Sequence, residues 1–229
     1  MGKRSFVSPE QRSGIRARIE PIALAMSRAG LTPNMLTLIG FGIASLGGVL
    51  AAVEWWLLAG IVATAGAGFD MFDGAVARAT DQVSKLGAFM DSTFDRWGEG
   101  VVYVGIVIGC TQAGFDLGAW LSAAALVSAF MVSYTRAKSE SLGFSSGTGM
   151  AAIGFAPREV RTVILGIALV GAGLLGGVTA DLSDLGSLIL ATGLGLIAVL
   201  ATITVIQRIR FVTSQPADPS SRPADPSDK

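Results

Sequence analysis

LGSLILATGLGLIAVLATITVIQ, residues 185–207, runs for 23 residues without a charged side chain. At 1.5 Å per residue a helix of that length reaches about 35 Å, enough to cross the ~30 Å hydrocarbon layer of a bilayer. Met35–Val53, Leu117–Thr135 and Thr162–Ala180 are similar, each 19 residues long and uncharged. Two further apolar runs are shorter. Trp55–Phe69 is bounded by Glu54 and Asp70, and Gly100–Phe115 by Glu99 and Asp116. Both reach spanning length only if acidic residues enter the helix. The alternating pattern of a membrane barrel is absent. Composition agrees, with 51% hydrophobic and only 15% charged residues, where soluble domains carry about 25% charged. The expected fold is an all-α integral membrane protein with six transmembrane helices.

Charge placement predicts the topology. Lys3, Arg4, Arg12, Arg16, Arg18 and Arg28 precede the first run, and Arg78 and Lys85 lie between the second and third. Arg136, Lys138, Arg158 and Arg161 flank the link from the fourth to the fifth, while Arg208, Arg210, Arg222 and Lys229 follow the sixth. The opposite connections, near Glu54, Asp116 and Asp181–Asp184, carry no Lys or Arg. The positive-inside rule then puts both termini of a multi-pass cell-membrane protein in the cytoplasm.

Residues 1–30 read as a cytoplasmic juxtamembrane segment, too charged for a signal peptide. Within it, Glu10–Arg28 interleaves Arg12, Arg16 and Arg18 with Ile15, Ile19, Ile22 and Leu24. That pattern predicts an amphipathic surface helix on anionic membrane lipids, interrupted near Pro21. A basic leader that merely sets orientation is the alternative. Leu31-Thr32-Pro33-Asn34 predicts a turn into the first passage. Residues 31–211 form the six-helix domain, and 212–229, with Pro-Ala-Asp-Pro-Ser repeated, form a disordered cytoplasmic tail. Glycines inside the runs, such as Gly47, Gly48, Gly66, Gly105 and Gly109, predict close helix packing.

Some chemistry is excluded outright. The chain has no His and a single Cys, Cys110, so imidazole bases, His-ligated zinc, Cys-rich metal sites and an intrachain disulfide are ruled out. Lys plus Arg equals Asp plus Glu at 17 each, and no nucleic-acid partner is expected.

The informative stretches are Asp70-Met71-Phe72-Asp73-Gly74-Ala75-Val76-Ala77-Arg78 and Gly87-Ala88-Phe89-Met90-Asp91-Ser92-Thr93-Phe94-Asp95. Residues three or four apart share a helix face. Asp70 and Asp73 therefore project together, as do Asp91 and Asp95, and a short turn through Thr80–Lys85 lets the pairs meet at the cytoplasmic boundary. Four carboxylates there repel one another unless cations are present. Oxygen ligands alone point to Mg²⁺ or Mn²⁺, as a pair of ions. Gly74 leaves room for a ligand near the helix, and Arg78, one turn on, can reach a phosphate. Interhelical polar contacts or an ion pathway are the alternatives, but beyond Arg96 and Glu99 the two runs are almost wholly apolar.

Asp70-x2-Asp73-Gly74-x2-Ala77-Arg78-x8-Gly87-x3-Asp91-x3-Asp95 resembles the complete signature of the CDP-alcohol phosphotransferase family over roughly residues 10–211. The resemblance implies a six-helix membrane enzyme, usually a homodimer, that transfers a substituted phosphoryl group from a CDP-linked donor to an alcohol and releases CMP. It implies Asp70, Asp73 and Asp91 as metal ligands and Asp95 as metal ligand or general base. Asp70, Asp73, Gly74 and Arg78 would line the CDP-donor site. With no His available, Asp95 is the expected catalytic base.

Within the family the likeness runs toward bacterial phosphatidylinositol-phosphate synthases and their archaetidylinositol-phosphate relatives. It is carried by Ser133-Tyr134-Thr135-Arg136-Ala137-Lys138-Ser139-Glu140, by Arg158-Glu159-Val160-Arg161 and by Gln207-Arg208. It implies CDP-diacylglycerol as donor and inositol 1-phosphate as acceptor, with Arg136, Lys138, Arg158, Arg161 and Arg208 receiving the acceptor phosphate. A phosphorylated acceptor does need extra cations beside the donor phosphates, and arginine forks suit them. A sibling transferase using glycerol phosphate or another polar alcohol is the alternative, and a membrane transporter or structural protein the remote one.

Overall fold

The computed structural model describes residues 21–144, 153–176 and 184–215, without the Asp70 side chain. The tail beyond 215, the middle of the link before Arg158 and all but the end of the expected surface helix lie outside these residues; 21–28 are helical.

Among the described residues seven longer helices follow. They are α1 (Pro33–Ala52), α2 (Trp56–Gly68), α3 (Asp70–Ala79), α4 (Lys85–Gln112), α5 (Asp116–Ser141), α6 (Arg158–Gly176) and α7 (Asp184–Thr213). The starts follow from local chemistry. Thr32 caps α1, its Oγ1 accepting from the Met35 N–H at 3.3 Å, with Pro33 in the first turn. Ser84 caps α4, accepting from the Gly87 N–H at 3.0 Å. Asp116, Glu159 and Asp184 put negative charge in the first turns of α5, α6 and α7.

The two short runs gain length as the acidic residues required. Phe69 keeps helical dihedrals, φ −63° and ψ −25°, so α2 leads directly into α3. α4 runs for 28 residues straight through Asp91, Asp95 and Glu99. Among the described residues five segments are long and apolar enough to cross a membrane: α1, α2 with α3, α5, α6 and α7. The protein is an all-α, multi-pass integral membrane protein.

Pairwise packing joins α1 to α2, α2 to α6, α6 to α7, α7 to α5, α5 to α4 and α4 back to α1. The bundle is a closed ring in which α4 stands opposite α6. Its inner face mixes small residues, Ala51, Ala59, Ala125, Ala129, Ala168 and Ala172, with large ones such as Trp56, Tyr103, Leu169 and Leu194, while Leu46, Val127, Ile167, Leu188 and Val199 point outward. The small residues suit lipid, where close backbone approach drives helix association. The sharpest approach is α1 on α4, since a Cβ at Gly105 would strike the Gly48 carbonyl. Not every glycine serves packing, for Gly42 and Gly68 face open space. Gly105→Val should therefore destabilise by about 1–3 kcal/mol, the usual range for overpacking. Gly42→Ala should change nothing comparable in the thermal midpoint of the detergent-solubilised protein.

Candidate active site

The loop after α3 turns sharply at Asp81, φ 54°, and delivers the chain to the Ser84 cap. This reversal stands α3 and the start of α4 beside the start of α1. Between them lies a cleft of about 520 Å³ lined by Thr37, Asp73, Gly74, Arg78, Gly87 and Asp91, among others. Asp73 is 6% exposed at its wall. Its Oδ2 accepts from Thr37 Oγ1 at 2.7 Å, which fixes the carboxylate against α1. Gly74 has a visible function: a Cβ there would stand 3.1 Å from Arg78 Nη1. The missing side chain lets the guanidinium fold back along α3 toward the cleft.

A second cleft, about 890 Å³, opens on the other side of Asp91 between α4 and α5. It is bordered by Asp91, Asp95, Arg96, Ser133, Tyr134 and Arg136. A third, about 200 Å³, shares Asp95, Arg96, Ser133 and Arg136 with it and adds Arg158, Arg161 and Arg208. Asp91 thus borders the first two clefts and Asp95 the last two. One face of α4, read at intervals of four, forms a continuous polar track.

Asp95 Oδ2 meets Arg158 Nη1 at 2.8 Å and Arg96 Nη1 at 3.1 Å. Arg96 also donates through Nε to Ser133 Oγ at 3.0 Å, tying α4 to α5. Arg136 is 46% exposed and paired with Glu140 one turn on, at 2.9 Å. Arg161 is 1% exposed and its donors go to Glu99 and the Ala156 carbonyl. Arg208, 4% exposed, donates through Nε to the Ile153 carbonyl at 3.1 Å and through Nη1 to that of Val132.

Of the residues the sequence singled out, Asp73, Gly74, Arg78 and Asp91 meet in the first cleft. Asp95, Arg136, Arg158, Arg161 and Arg208 meet in the third. Lys138 is exposed in the last turn of α5 and outside that lining. Among the described residues no three acidic side chains already converge on one point. Asp73 and Asp91 nevertheless face one cleft with oxygen donors only, the chemistry that Mg²⁺ or Mn²⁺ requires.

Thr37, Glu99 and Thr204 are additions that sequence reasoning missed. Thr204 Oγ1 accepts from the N–H groups of both Phe155 and Ala156 at 3.1 Å, latching the segment before Arg158 to α7. Thr204→Val keeps the shape and leaves two donors unmet, a loss of about 1–3 kcal/mol for each that stays buried. The expected result is a lower thermal midpoint together with weaker acceptor saturation, because Arg158 follows that segment.

Comparison with known proteins matches this architecture. The CDP-alcohol phosphatidyltransferase family profile covers residues 30–204. The archaetidylinositol phosphate synthase of Pyrococcus horikoshii is 37% identical over 205 residues, 86% of this chain and 92% of that protein. The phosphatidylinositol phosphate synthase of Mycolicibacterium smegmatis is 33% identical, covering 86% of this chain and 84% of its own. The crystal structure of the Mycobacterium tuberculosis phosphatidylinositol phosphate synthase with CDP-DAG bound superposes with a TM-score of 0.74 at 27% identity, over 87% of this chain and 95% of that one. The same enzyme in complex with manganese and citrate gives 0.72 at 29% identity, over 87% and 90%. Aspartates spaced as in the signature, gathered where α3 meets α4 in a bundle these proteins share along nearly their whole length, make this chain a member of the CDP-alcohol phosphatidyltransferase family.

Proposed function

We propose that the protein transfers a phosphatidyl group from CDP-diacylglycerol to inositol 1-phosphate, giving phosphatidylinositol phosphate and CMP. The observation that carries this reading is the polar track along α4, which runs from an acidic cleft at Asp73 and Asp91 to a basic one at Arg158. The names of the relatives and the CDP-DAG and manganese complexes of the mycobacterial enzyme support it.

The donor head group occupies the first cleft, with Gly74 giving it space and Arg78 a cation. Asp70, Asp73 and Asp91 hold Mg²⁺ or Mn²⁺, as two ions, with Asp95 at the edge of the set. When bound, the ions neutralise the diphosphate and the charge that develops on CMP. The acceptor hydroxyl reaches the phosphatidyl phosphorus from the second cleft. Its oxygen forms the new bond, the bond to CMP breaks, and the proton passes to Asp95. Arg136 and Arg158 border both Asp95 and open space, so they meet the acceptor phosphate directly. Lys138 adds charge at the rim, while the buried Arg161 and Arg208 stand behind them as a second rank.

In the membrane we assign α4 as the sixth passage, both termini to the cytoplasm, residues 10–28 to the surface lipids and the assembly to a homodimer. The test uses purified protein with CDP-diacylglycerol, Mg²⁺ or Mn²⁺ and a panel of polyols and their phosphates. CMP release with inositol 1-phosphate and a product of the matching mass is expected. Preference for glycerol phosphate would move the protein to the sibling reading, and metal-independent silence with every acceptor would defeat both.

A further inference from the structure

Two ionic rungs cross the interior of the ring. Arg158 meets Asp95 at 2.8 Å, and Arg161 meets Glu99 through two parallel bonds, Nε to Oε1 and Nη2 to Oε2, each 2.9 Å. The carboxylates are four residues apart on α4 and the arginines three apart on α6, so each pair follows one helix face. These helices are not neighbours in the ring; they stand opposite, and the charged side chains bridge the middle.

The inner rung is the better fixed of the two. The Arg161 and Glu99 side chains are 1% and 8% exposed, against 20% and 11% for Arg158 and Asp95. Arg161 Nη1 also donates to the Ala156 carbonyl at 2.9 Å, which ties the rung to the segment entering α6. A planar guanidinium bound to a carboxylate by two parallel bonds has a defined orientation as well as a defined distance. Beside the rungs lie the third cleft, which Asp95, Arg158 and Arg161 border, and a smaller space of about 30 Å³ bordered by Glu99, Arg158, Thr64 and Thr162. The two parallel bonds of the inner rung restrain α6 from sliding or turning against α4 while this pair is intact.

We infer that Glu99 is a positioning residue for the transfer reaction: through Arg161 it fixes the height and rotation of α6 and so aims Arg158 at Asp95. Glu99 touches no substrate in this arrangement, and its pairing occupies Arg161, which leaves Arg158 as the arginine of α6 that serves the cleft. The inference rests on the roles proposed above for Asp95 and Arg158.

The experiment measures kcat and both KM values, with kcat expressed per metal-dependent CDP-binding site so that misfolded protein does not count. It compares wild type, Glu99→Gln, the neutral double variant Glu99→Gln/Arg161→Gln, Arg158→Gln, and Glu99→Gln combined with Arg158→Gln. The double variant leaves no unpaired charge inside the ring, so it guards against a single variant that fails to fold. Misaimed groups of this kind lose about ten- to a hundredfold in rate. That loss is expected in kcat for Glu99→Gln and for the double variant, with the KM for CDP-diacylglycerol nearly unchanged.

The cycle carries the decision. If Glu99 acts by way of Arg158, Glu99→Gln should add almost nothing once Arg158 is Gln, although the two side chains share no bond. Independent multiplying losses would overturn the inference, as would an unchanged kcat in Glu99→Gln. A large rise in acceptor KM with kcat preserved in the neutral double variant would make Arg161 a direct ligand instead. Failure of that variant to reach a CDP-binding state would make the pair a folding element only. Wild-type protein that works with an acceptor other than inositol 1-phosphate corrects the proposed function alone, and the cycle is then run with that acceptor.

Discussion

Asp73→Asn should lose about a thousandfold or more in turnover, since the charge stabilisation that metal ions supply at a phosphoryl centre is worth several kcal/mol. The substitution is nearly isosteric. The amide oxygen of Asn can still accept from Thr37 Oγ1, which now bonds Asp73 Oδ2 at 2.7 Å, so the wall of the first cleft keeps its shape. What disappears is one negative charge at a 6% exposed position. Asp91→Asn, on the facing wall of the same cleft, should behave alike. The measurement is CMP release across a Mg²⁺ or Mn²⁺ titration, with thermal unfolding as the check on integrity. Normal turnover and normal metal dependence in both variants would remove these residues from the ligand set.

Asp95→Asn should also be severe, for a different reason. Loss of a general base removes about 10²–10⁴-fold in rate. Asp95 borders the second and third clefts and not the first, so metal-dependent CDP binding should survive in this variant while it fails in the Asp73 and Asp91 variants. The substitution has a second effect, because Arg158 and Arg96 both lose their ion pair with Asp95. The acceptor KM should nevertheless change much less than kcat. A rate near that of wild type at saturating substrates would mean that the proton leaves by another route.

The linear pattern made parts of this legible and concealed others. Uncharged runs announced the passages because backbone polar groups in lipid must be satisfied within the helix. Trp55–Phe69 and Gly100–Phe115 were too short alone; the helices that hold them run through Asp70 and Glu99, and the first run, with α3, is one of the five segments long and apolar enough to cross a membrane among the described residues. The aspartate spacing was readable because four residues make about one helical turn. It did not reveal that Asp73 and Asp91 face one cleft while Asp95 meets Arg158 and Arg96. Such a division depends on which distant helix arrives opposite. Thr37, Glu99 and Thr204 were illegible for the same reason. A hydroxyl in an apolar run ordinarily bonds its own helix, as Thr111 bonds the Val107 carbonyl at 2.8 Å. Nothing local marks Thr37 as the partner of Asp73, 36 residues away. The basic residues near Arg158 were legible as a set, but separating the exposed Arg136 from the enclosed Arg161 and Arg208 needed the bundle itself.

The cross-ring pair also imposes a schedule on biogenesis. Glu99 and Arg161 are 62 residues apart, and a ribosome adding about 5–20 residues per second takes roughly 3–12 s to make that stretch. During those seconds Asp95 has Arg96 beside it, but Glu99 has no guanidinium from α6 to meet. A lone carboxylate is costly in hydrocarbon, so the proposed passage of α4 should stay beside protein or water until α6 emerges, the two charges then entering the ring together. Synthesis runs from α1 to α7, whereas assembly turns on the meeting of α4 with α6.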